Sequence, residues 1–355
     1  MLHYKVRGQA LKIKLSLPGQ PSPTDLSQFT GNARGAFADC EFYANDGATE
    51  ADAWFIFEDV IPEDNFCAVP AGQVHFLSAE TSYRDDHYSR PWRLEFLAQF
   101  SNVHMCHPTD LPQATFHPPF LPWMVNANHE SVFSPHRRDL NFFEGLNELE
   151  KDRPLSIFCS DKKFAAQHQL RFDFAEKVQK YFRGDVDWFG NGVHSLPEKW
   201  DGLARYERTV VLENRSDRTI YSEKILDAFL SLSQPIYWGA PNISSFLPVS
   251  QSHQIDIRDP KGSLQTLHRL MKKPVSDKER EALILGKSRV LDQLHFLKRI
   301  SVIAKATSSV RLLKEGSNPV KLLRAENSFV PADISKPLTR EDKVYKFARR
   351  VLKGR

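Results

Sequence analysis

The chain has 355 residues, 41% hydrophobic and 26% charged, values of a soluble globular protein that exclude a disordered or membrane-embedded chain and suit two domains. No stretch approaches the roughly 20 uninterrupted apolar residues of a spanning helix, and Met1 to Arg7 lacks the apolar centre of a signal peptide, so a cytoplasmic protein is expected. The formal net charge is only +4, and no basic patch is interleaved with aromatics, which argues against nucleic acid as a partner.

In chain order, Ala10 to Leu17 and Ala53 to Val60 have the apolar, β-branched or aromatic character of strands, with the Pro, Ser, Thr and Gly of Pro18 to Gly35 forming a loop between them. The short apolar run Val74-His75-Phe76-Leu77 ends at Ser78-Ala79-Glu80-Thr81. Pro91 to Phe100 suits a helix, whereas the prolines from Pro108 to Pro122 exclude regular structure there. A second unit begins near Pro154: strand Leu155 to Cys159, long helix Phe164 to Phe182, strand Val186 to Gly190. The alternation continues through Thr209 to Trp238 to a strand at Gln254 to Ile257 and a helix from Ser263 to Met271, which implies a parallel sheet. Pro274 breaks the chain, Asp277 to Ile303 forms one or two helices, and Pro319 to Pro337 reads as a linker.

Cys40, Cys67, Cys106 and Cys159 are widely separated and form no Cys-x-x-Cys pair, so reduced thiols are expected rather than a zinc site or disulfide framework. His104, His107 and His117 fall in the proline-rich stretch and read as loop residues rather than metal ligands. From Arg340 to Arg355 seven basic residues face two acidic ones, and in helical register Val344, Phe347, Val351 and Leu352 share one side. Such a basic amphipathic tail suits an anionic membrane surface, and equally a solvated or docked terminal helix.

The densest chemistry lies between Thr209 and Asn242. The run Thr209-Val210-Val211-Leu212 stops at Glu213-Asn214, a polar loop follows, and Ser222-Glu223-Lys224 opens an apolar-periodic segment carrying Ile225, Leu226, Phe229 and Leu232. Ser222 suits an N-cap; the free amides of the first turn and the helix dipole make an anion site, and Lys224 adds a positive charge beside it. A second strand, Pro235 to Trp238, ends at Gly239-Ala240-Pro241-Asn242. Two strand ends of an α/β sheet thus send loops to one crevice, where such sheets bind ligands. A diphosphate fits there.

These residues resemble the donor-binding motif of the family 10 glycosyltransferases, the α-1,3/4-fucosyltransferases. Glu213, Asn214, Glu223, Lys224, Pro235, Tyr237, Trp238, Gly239 and Pro241 fall in register with that family's aromatic-Glu-Asn loop, Tyr-Val-Thr-Glu-Lys helix start and Pro-Val/Ile-Tyr-Trp-Gly-Ala/Ser-Pro strand end. Leu212 replaces the usual aromatic, and Ile220-Tyr221-Ser222 stands where Tyr-Val-Thr is common, which moves the tyrosine by one place. The likeness is strong from Leu155 to Pro260 and weak around Glu80 and from Pro119 to Trp123. It implies a GT-B fold, two Rossmann-like α/β lobes facing a cleft: residues 1–150 on the acceptor side, 151–318 for the donor, and 319–355 as linker and tail. Animal and plant members carry an N-terminal membrane helix, so its absence points to a bacterial type.

The resemblance further implies transfer of fucose from GDP-fucose to a glycan hydroxyl, on an oligosaccharide or a lipid-linked glycan. Inversion needs one carboxylate base for the acceptor proton and cations for the departing diphosphate, which leaves without protonation. Glu80, at a strand end, matches the family's catalytic glutamate, with Asp85 and Asp86 near enough to serve instead. Arg171 and Lys224 match the diphosphate-holding cations, Glu223 the ribose contact, and Asn214, Tyr221 and Gly239 the lining of the donor pocket. Asp185-Val186-Asp187 has the Asp-x-Asp form that binds divalent metal in GT-A enzymes, but GT-B enzymes need no metal, so none is expected to be essential. Two other outcomes stay open: the same mechanism with another nucleotide-activated sugar, or a catalytically silent sugar-binding protein.

Overall fold

A computed structural model describes residues 10–17, 23–32, 35–58, 64–79, 89–127, 138–163, 166–218, 221–309 and 319–331. The chain forms two compact units: residues 1–120 with 296–355 in unit 1, and residues 121–295 in unit 2. Both are α/β and built on parallel sheets, as the alternation of strands and helices implies.

Unit 1 begins with β1 (Leu11–Ser16), the short helix α1 (Ser27–Thr30), β2 (Ala36–Phe37), β3 (Cys40–Ala44) and β4 (Ala53–Phe57). It continues through β5 (Asn65–Ala68), β6 (Val74–Leu77), α2 (Pro91–Ala98), β7 (Asn102–Met105) and β8 (Ala114–Phe116). Seven strands lie in the order β2-β3-β1-β4-β6-β7-β8, parallel except for the β2–β3 pair. Every residue of β4 and β6 is buried, the signature of central parallel strands covered on both faces, whereas β3 alternates. Trp54, Ile56, Phe76, Phe96, Phe100 and Val103 make the centre of one core cluster.

From β6 through β7 to the exposed Thr115 of β8 runs a polar chain whose two histidines are buried. His75 Nδ1 lies 3.1 Å from His104 Nε2, His75 Nε2 is 3.3 Å from Gln73 Oε1, and His104 Nδ1 is 3.1 Å from the Thr115 hydroxyl. His104 is therefore a buried strand residue and not the loop residue its proline-rich neighbourhood suggested. Burial holds both imidazoles down to about 3, with His75, His117 and Arg299 adding repulsion at His104. Because the folded values lie below the unfolded value of about 6.5, stability is complete above that pH and is lost as pH falls from there toward 3. Melting temperature is therefore expected to drop steadily through this window, and His104→Gln should flatten the drop. An equal slope in the variant would exclude this pair as its source.

Unit 2 holds α3 (Leu140–Gly145), β9 (Arg153–Phe158), α4 (Ala166–Phe182), β10 (Val186–Phe189), β11 (Tyr206–Leu212), α5 (Glu223–Leu230), β12 (Gln234–Trp238), α6 (Pro260–Met271) and α7 (Asp277–Leu291). Its four strands are all parallel, in the order β10-β9-β11-β12. The chain leaves β9 through α4 to one side and leaves β11 through α5 to the other, which makes the β9–β11 boundary the topological switch point of the sheet. Leu155, Ile157, Phe174, Val210, Ile236 and Leu267 knit strands and helices into one core. Gln254 to Ile257 departs from the expected strand: it makes an isolated bridge at Gln254 to Tyr237, while Ile255 and Ile257 still reach that core.

The boundaries differ from the sequence expectation. Residues 121–150 belong to unit 2, where α3 is fastened to α7: Lys287 Nζ donates to Phe143 O at 2.7 Å and also to Leu146 O. The helical stretch after Pro274 is two helices in different units, because α8 (Phe296–Ser309) returns to unit 1. There Phe296 meets Phe29 edge to face at 4.8 Å, and Arg299 donates to Pro118 O and Pro119 O at 2.6 Å each. Part of the expected linker is β13 (Val320–Leu323), antiparallel to β5 with Leu322 opposite Phe66. The basic tail from Arg340 and the amino-terminal residues 1–9 lie outside the described residues. No described helix is long and apolar enough to cross a membrane.

Candidate functional site

The β9–β11 switch point gathers most of the residues singled out from sequence. Ser222 caps α5 as its position suggests: extended at ψ −177°, its side chain accepts from the Lys224 amide. Glu213, buried at the end of β11, braces that cap, accepting from the Ser222 amide at 2.9 Å and from the Ser222 hydroxyl at 2.5 Å. Lys224 Nζ lies 2.9 Å from Ser222 Oγ, 3.3 Å from Glu223 Oε1 and 3.9 Å from Glu213 Oε2. A helix start, a cation and two carboxylates thus share one corner.

Electrostatics divide the two acids. Burial pushes the Glu213 carboxyl up from its ordinary value, against the pull of Lys224 and Ser222. Burial acts the same way on Glu223, but the Lys224 and Lys199 cations and a backbone amide overcome it and hold that carboxyl down to about 2. Burial also opposes the Lys224 ammonium, yet Glu223 and Glu213 raise it above the usual lysine range. Glu223 is therefore a permanent anion and Lys224 a permanent cation near neutral pH.

Arg171 reaches the same corner from α4. It is 4% exposed, its Nη1 donates to Leu212 O at 3.3 Å, and its Nε has no acceptor among the described residues. No carboxylate pairs with it among those residues, although a buried guanidinium ordinarily requires one. Its field reaches across the site: with burial the larger cause, Arg171, Lys162 and Lys224 hold the buried His168 down to about 4. Cys159, at the end of β9, is pushed up by burial and drawn back by Arg171 and Lys224. Three cations therefore act on the mouth of the switch point, and Arg171 among them is buried without a counter-charge among the described residues.

The remaining predicted residues are placed as follows. Asn214 is half-buried in the turn directly after Glu213. Tyr221 is 1% exposed with its ring 5.4 Å from that of Phe246, so it packs in the interior rather than presenting a surface. Gly239 leaves no room for a side chain: a Cβ there would lie 2.3 Å from the Tyr237 hydroxyl and 2.4 Å from Glu213 Cγ. Asp187, the second aspartate of the Asp-x-Asp sequence, accepts from Arg153 at 2.6 and 3.0 Å and from the Tyr206 hydroxyl at 2.8 Å. It sits near the start of β10, the opposite end from the switch-point mouth.

Two members escaped the sequence reading. Lys199 lies 2.5 Å from Asp227 Oδ2 and 4.0 Å from Glu223 Oε1, and Asp227 Oδ1 accepts the Met124 amide at 2.8 Å. Burial pushes the Asp227 carboxyl up to about 6 despite Lys199. The spacing of Glu223 and Asp227, four residues apart on one helix face, is the local signal that a cation should sit beside them; nothing local names Lys199.

In unit 1, Glu80, Asp85 and Asp86 lie outside the described residues, but the strand that leads to Glu80 is clear. Ser78 donates its amide to His104 O at 2.9 Å, and the Ala79 amide donates to the Glu58 carboxylate. Glu58 is itself buried at the end of β4, with φ +55°.

No family model matches this chain, and no curated protein does. Among solved structures the chain is similar to a crystal structure of alpha1,3-fucosyltransferase with GDP-fucose, at 12% identity over 87% of this chain and 92% of that one, with a TM-score of 0.44. A crystal structure of alpha1,3-fucosyltransferase with GDP is 13% identical over 89% and 94%, with a TM-score of 0.45. A third, of alpha1,3-fucosyltransferase, is 12% identical over 90% and 95%, also at 0.45.

Proposed function

We propose that this protein is an inverting glycosyltransferase that moves fucose from GDP-fucose to a glycan hydroxyl, a bacterial-type relative of the family 10 enzymes. The observation that carries this reading is Arg171: a buried guanidinium with no carboxylate partner among the described residues, beside Lys224 and the amino-terminal end of α5, at the switch point of a parallel sheet. A nucleoside diphosphate supplies the missing anion, and its charge grows as the sugar departs, so the same cations would hold the leaving group more tightly in the transition state than in the ground state.

Glu223, held anionic, suits acceptance of the ribose hydroxyl protons, since an ionised carboxylate is an acceptor only. Asn214 follows directly on the strand end that Arg171 touches, and Gly239 lets β12 close against Glu213. Glu80 would take the acceptor proton as the sugar carbon is attacked from the face opposite the diphosphate, a single displacement. With cations of the chain itself on the diphosphate, no divalent metal is required. The protein would work in the cytoplasm, with the basic segment after Arg340 set against an anionic membrane surface where a lipid-linked acceptor resides.

The test is fucose transfer from GDP-fucose in the presence of chelator, with Glu80→Gln beside the unaltered protein. The variant is expected to bind GDP normally and to turn over at least about 100-fold more slowly, the usual contribution of a positioned base. Near-normal turnover by the variant, or complete dependence of the unaltered protein on Mn²⁺, would remove the corresponding part of the proposal.

A further inference from the structure

At the other end of the unit 2 sheet lies a cavity of about 660 Å³, between the first residues of β11 and β12, the last turn of α6 and the first turn of α7. That volume falls in the range of small-molecule sites. Four residue steps along β11, about 13 Å, separate Arg208 in its wall from Leu212 at the switch-point mouth. It is a separate place.

Its lining is one-sided in charge: Arg208, Arg269, Lys273 and Lys278 against a single carboxylate, Glu279. Glu279 is already engaged, with His253 Nε2 at 2.7 Å and the Ser276 amide and hydroxyl at 2.7 and 2.6 Å. Arg269, Lys273 and Lys278 form no ion pair among the described residues. Val249, Leu270 and Ala282 supply an apolar wall.

The strand residues in the wall carry unmet polar capacity. Arg208 and Gln234 face one another across the β11–β12 ladder and are 1% and 3% exposed. Arg208 spends its two terminal nitrogens on Glu207 at 2.9 Å and Lys273 O at 2.8 Å; among the described residues its Nε has no acceptor and Gln234 Oε1 has no donor. Buried polar groups are ordinarily satisfied, and each one left unmet is costly.

We propose that this cavity binds a small phosphorylated or carboxylated molecule, of sugar-phosphate size, with its anion toward Arg269, Lys273 and Lys278 and its less polar body toward Val249, Leu270 and Ala282. The site is independent of the donor reading of the switch point. The probe is inorganic pyrophosphate in a melting experiment, on the unaltered protein, on Arg269→Ala/Lys273→Ala, and on Arg171→Ala. Both pocket residues are exposed, so the double variant folds without core disruption.

A saturable rise of about 5 °C is expected for the unaltered protein and for Arg171→Ala. In the double variant the pyrophosphate concentration needed should rise at least about tenfold, the effect of losing charge-assisted hydrogen bonds. The proposal is overturned if the unaltered protein shows no rise, if the double variant responds as well as the unaltered protein, or if Arg171→Ala already abolishes the response. Failure of the donor reading would appear elsewhere, as GDP affinity indifferent to Arg171.

Discussion

Arg171→Ala is expected to weaken GDP binding by about 2 to 5 kcal/mol, roughly 30-fold to several thousandfold, while leaving the melting temperature of the ligand-free protein unchanged or slightly higher. The two halves of this result come from one feature. Without ligand, the guanidinium is buried against a carbonyl at 3.3 Å, with its Nε–H unmet and no carboxylate beside it among the described residues, so the fold carries a desolvation cost with little return. Truncation relieves that cost and places alanine, the best helix former, in α4, which offsets the packing lost with the side chain. With GDP bound, the same truncation removes a buried cation from the phosphates and leaves Lys224 to hold their charge. A residue that served only the fold would show the reverse: a lower melting temperature and unchanged affinity. Calorimetric titration with GDP and a thermal melt of both proteins decide between them, and Arg171→Lys should recover part of the affinity, since the charge returns without the planar fork.

Gly239→Ala is expected to lower the melting temperature by about 5 to 10 °C, corresponding to about 2 to 3 kcal/mol of overpacking, and to weaken GDP binding as well. The added methyl would meet the Tyr237 hydroxyl at 2.3 Å and ring carbon Cζ at 2.6 Å, and Glu213 Cγ at 2.4 Å. Neither neighbour can step aside freely. Tyr237 is buried and its hydroxyl accepts the Ala240 amide at 2.9 Å; Glu213 is buried and holds the Ser222 cap. Relief of the clash therefore displaces Glu213, loosens the start of α5 and moves Lys224. Gly145→Ala is the control: a Cβ there meets nothing within 4 Å, and thermal stability should hold. If Gly239→Ala melted within about 1 °C of the unaltered protein, the close packing of β12 on Glu213 would not be what sustains this corner.

Much of unit 2 was legible because its signals are local. A β-branched run becomes β11, Ser222 caps the helix that starts one residue later, and the apolar run before Gly239 becomes β12. Each depends on residues within one turn or one strand. The role of Gly239 was visible only as a motif match, since the atoms that forbid a side chain there include Glu213, 26 positions earlier in sequence. Tyr221 is a similar case: its motif place suggested a ligand contact, and its burial with the ring 5.4 Å from that of Phe246 is a tertiary outcome that no local pattern records.

Sequence by itself determined that the chain is α/β, where the strand–loop–helix–strand run of unit 2 lies, and which residues stand at its strand ends and helix start, because backbone propensity, periodicity and capping act over a few neighbouring residues. Tertiary structure decided the rest. It joined residues 121–150 to unit 2, returned α8 and β13 to unit 1, and set Lys199 against Glu223 and Asp227. It also brought Arg171 to Leu212 O with no carboxylate partner among the described residues. Those outcomes rest on contacts between segments from 24 to more than 200 positions apart, where close packing and the cost of burying charge choose the partner and no local pattern records the choice.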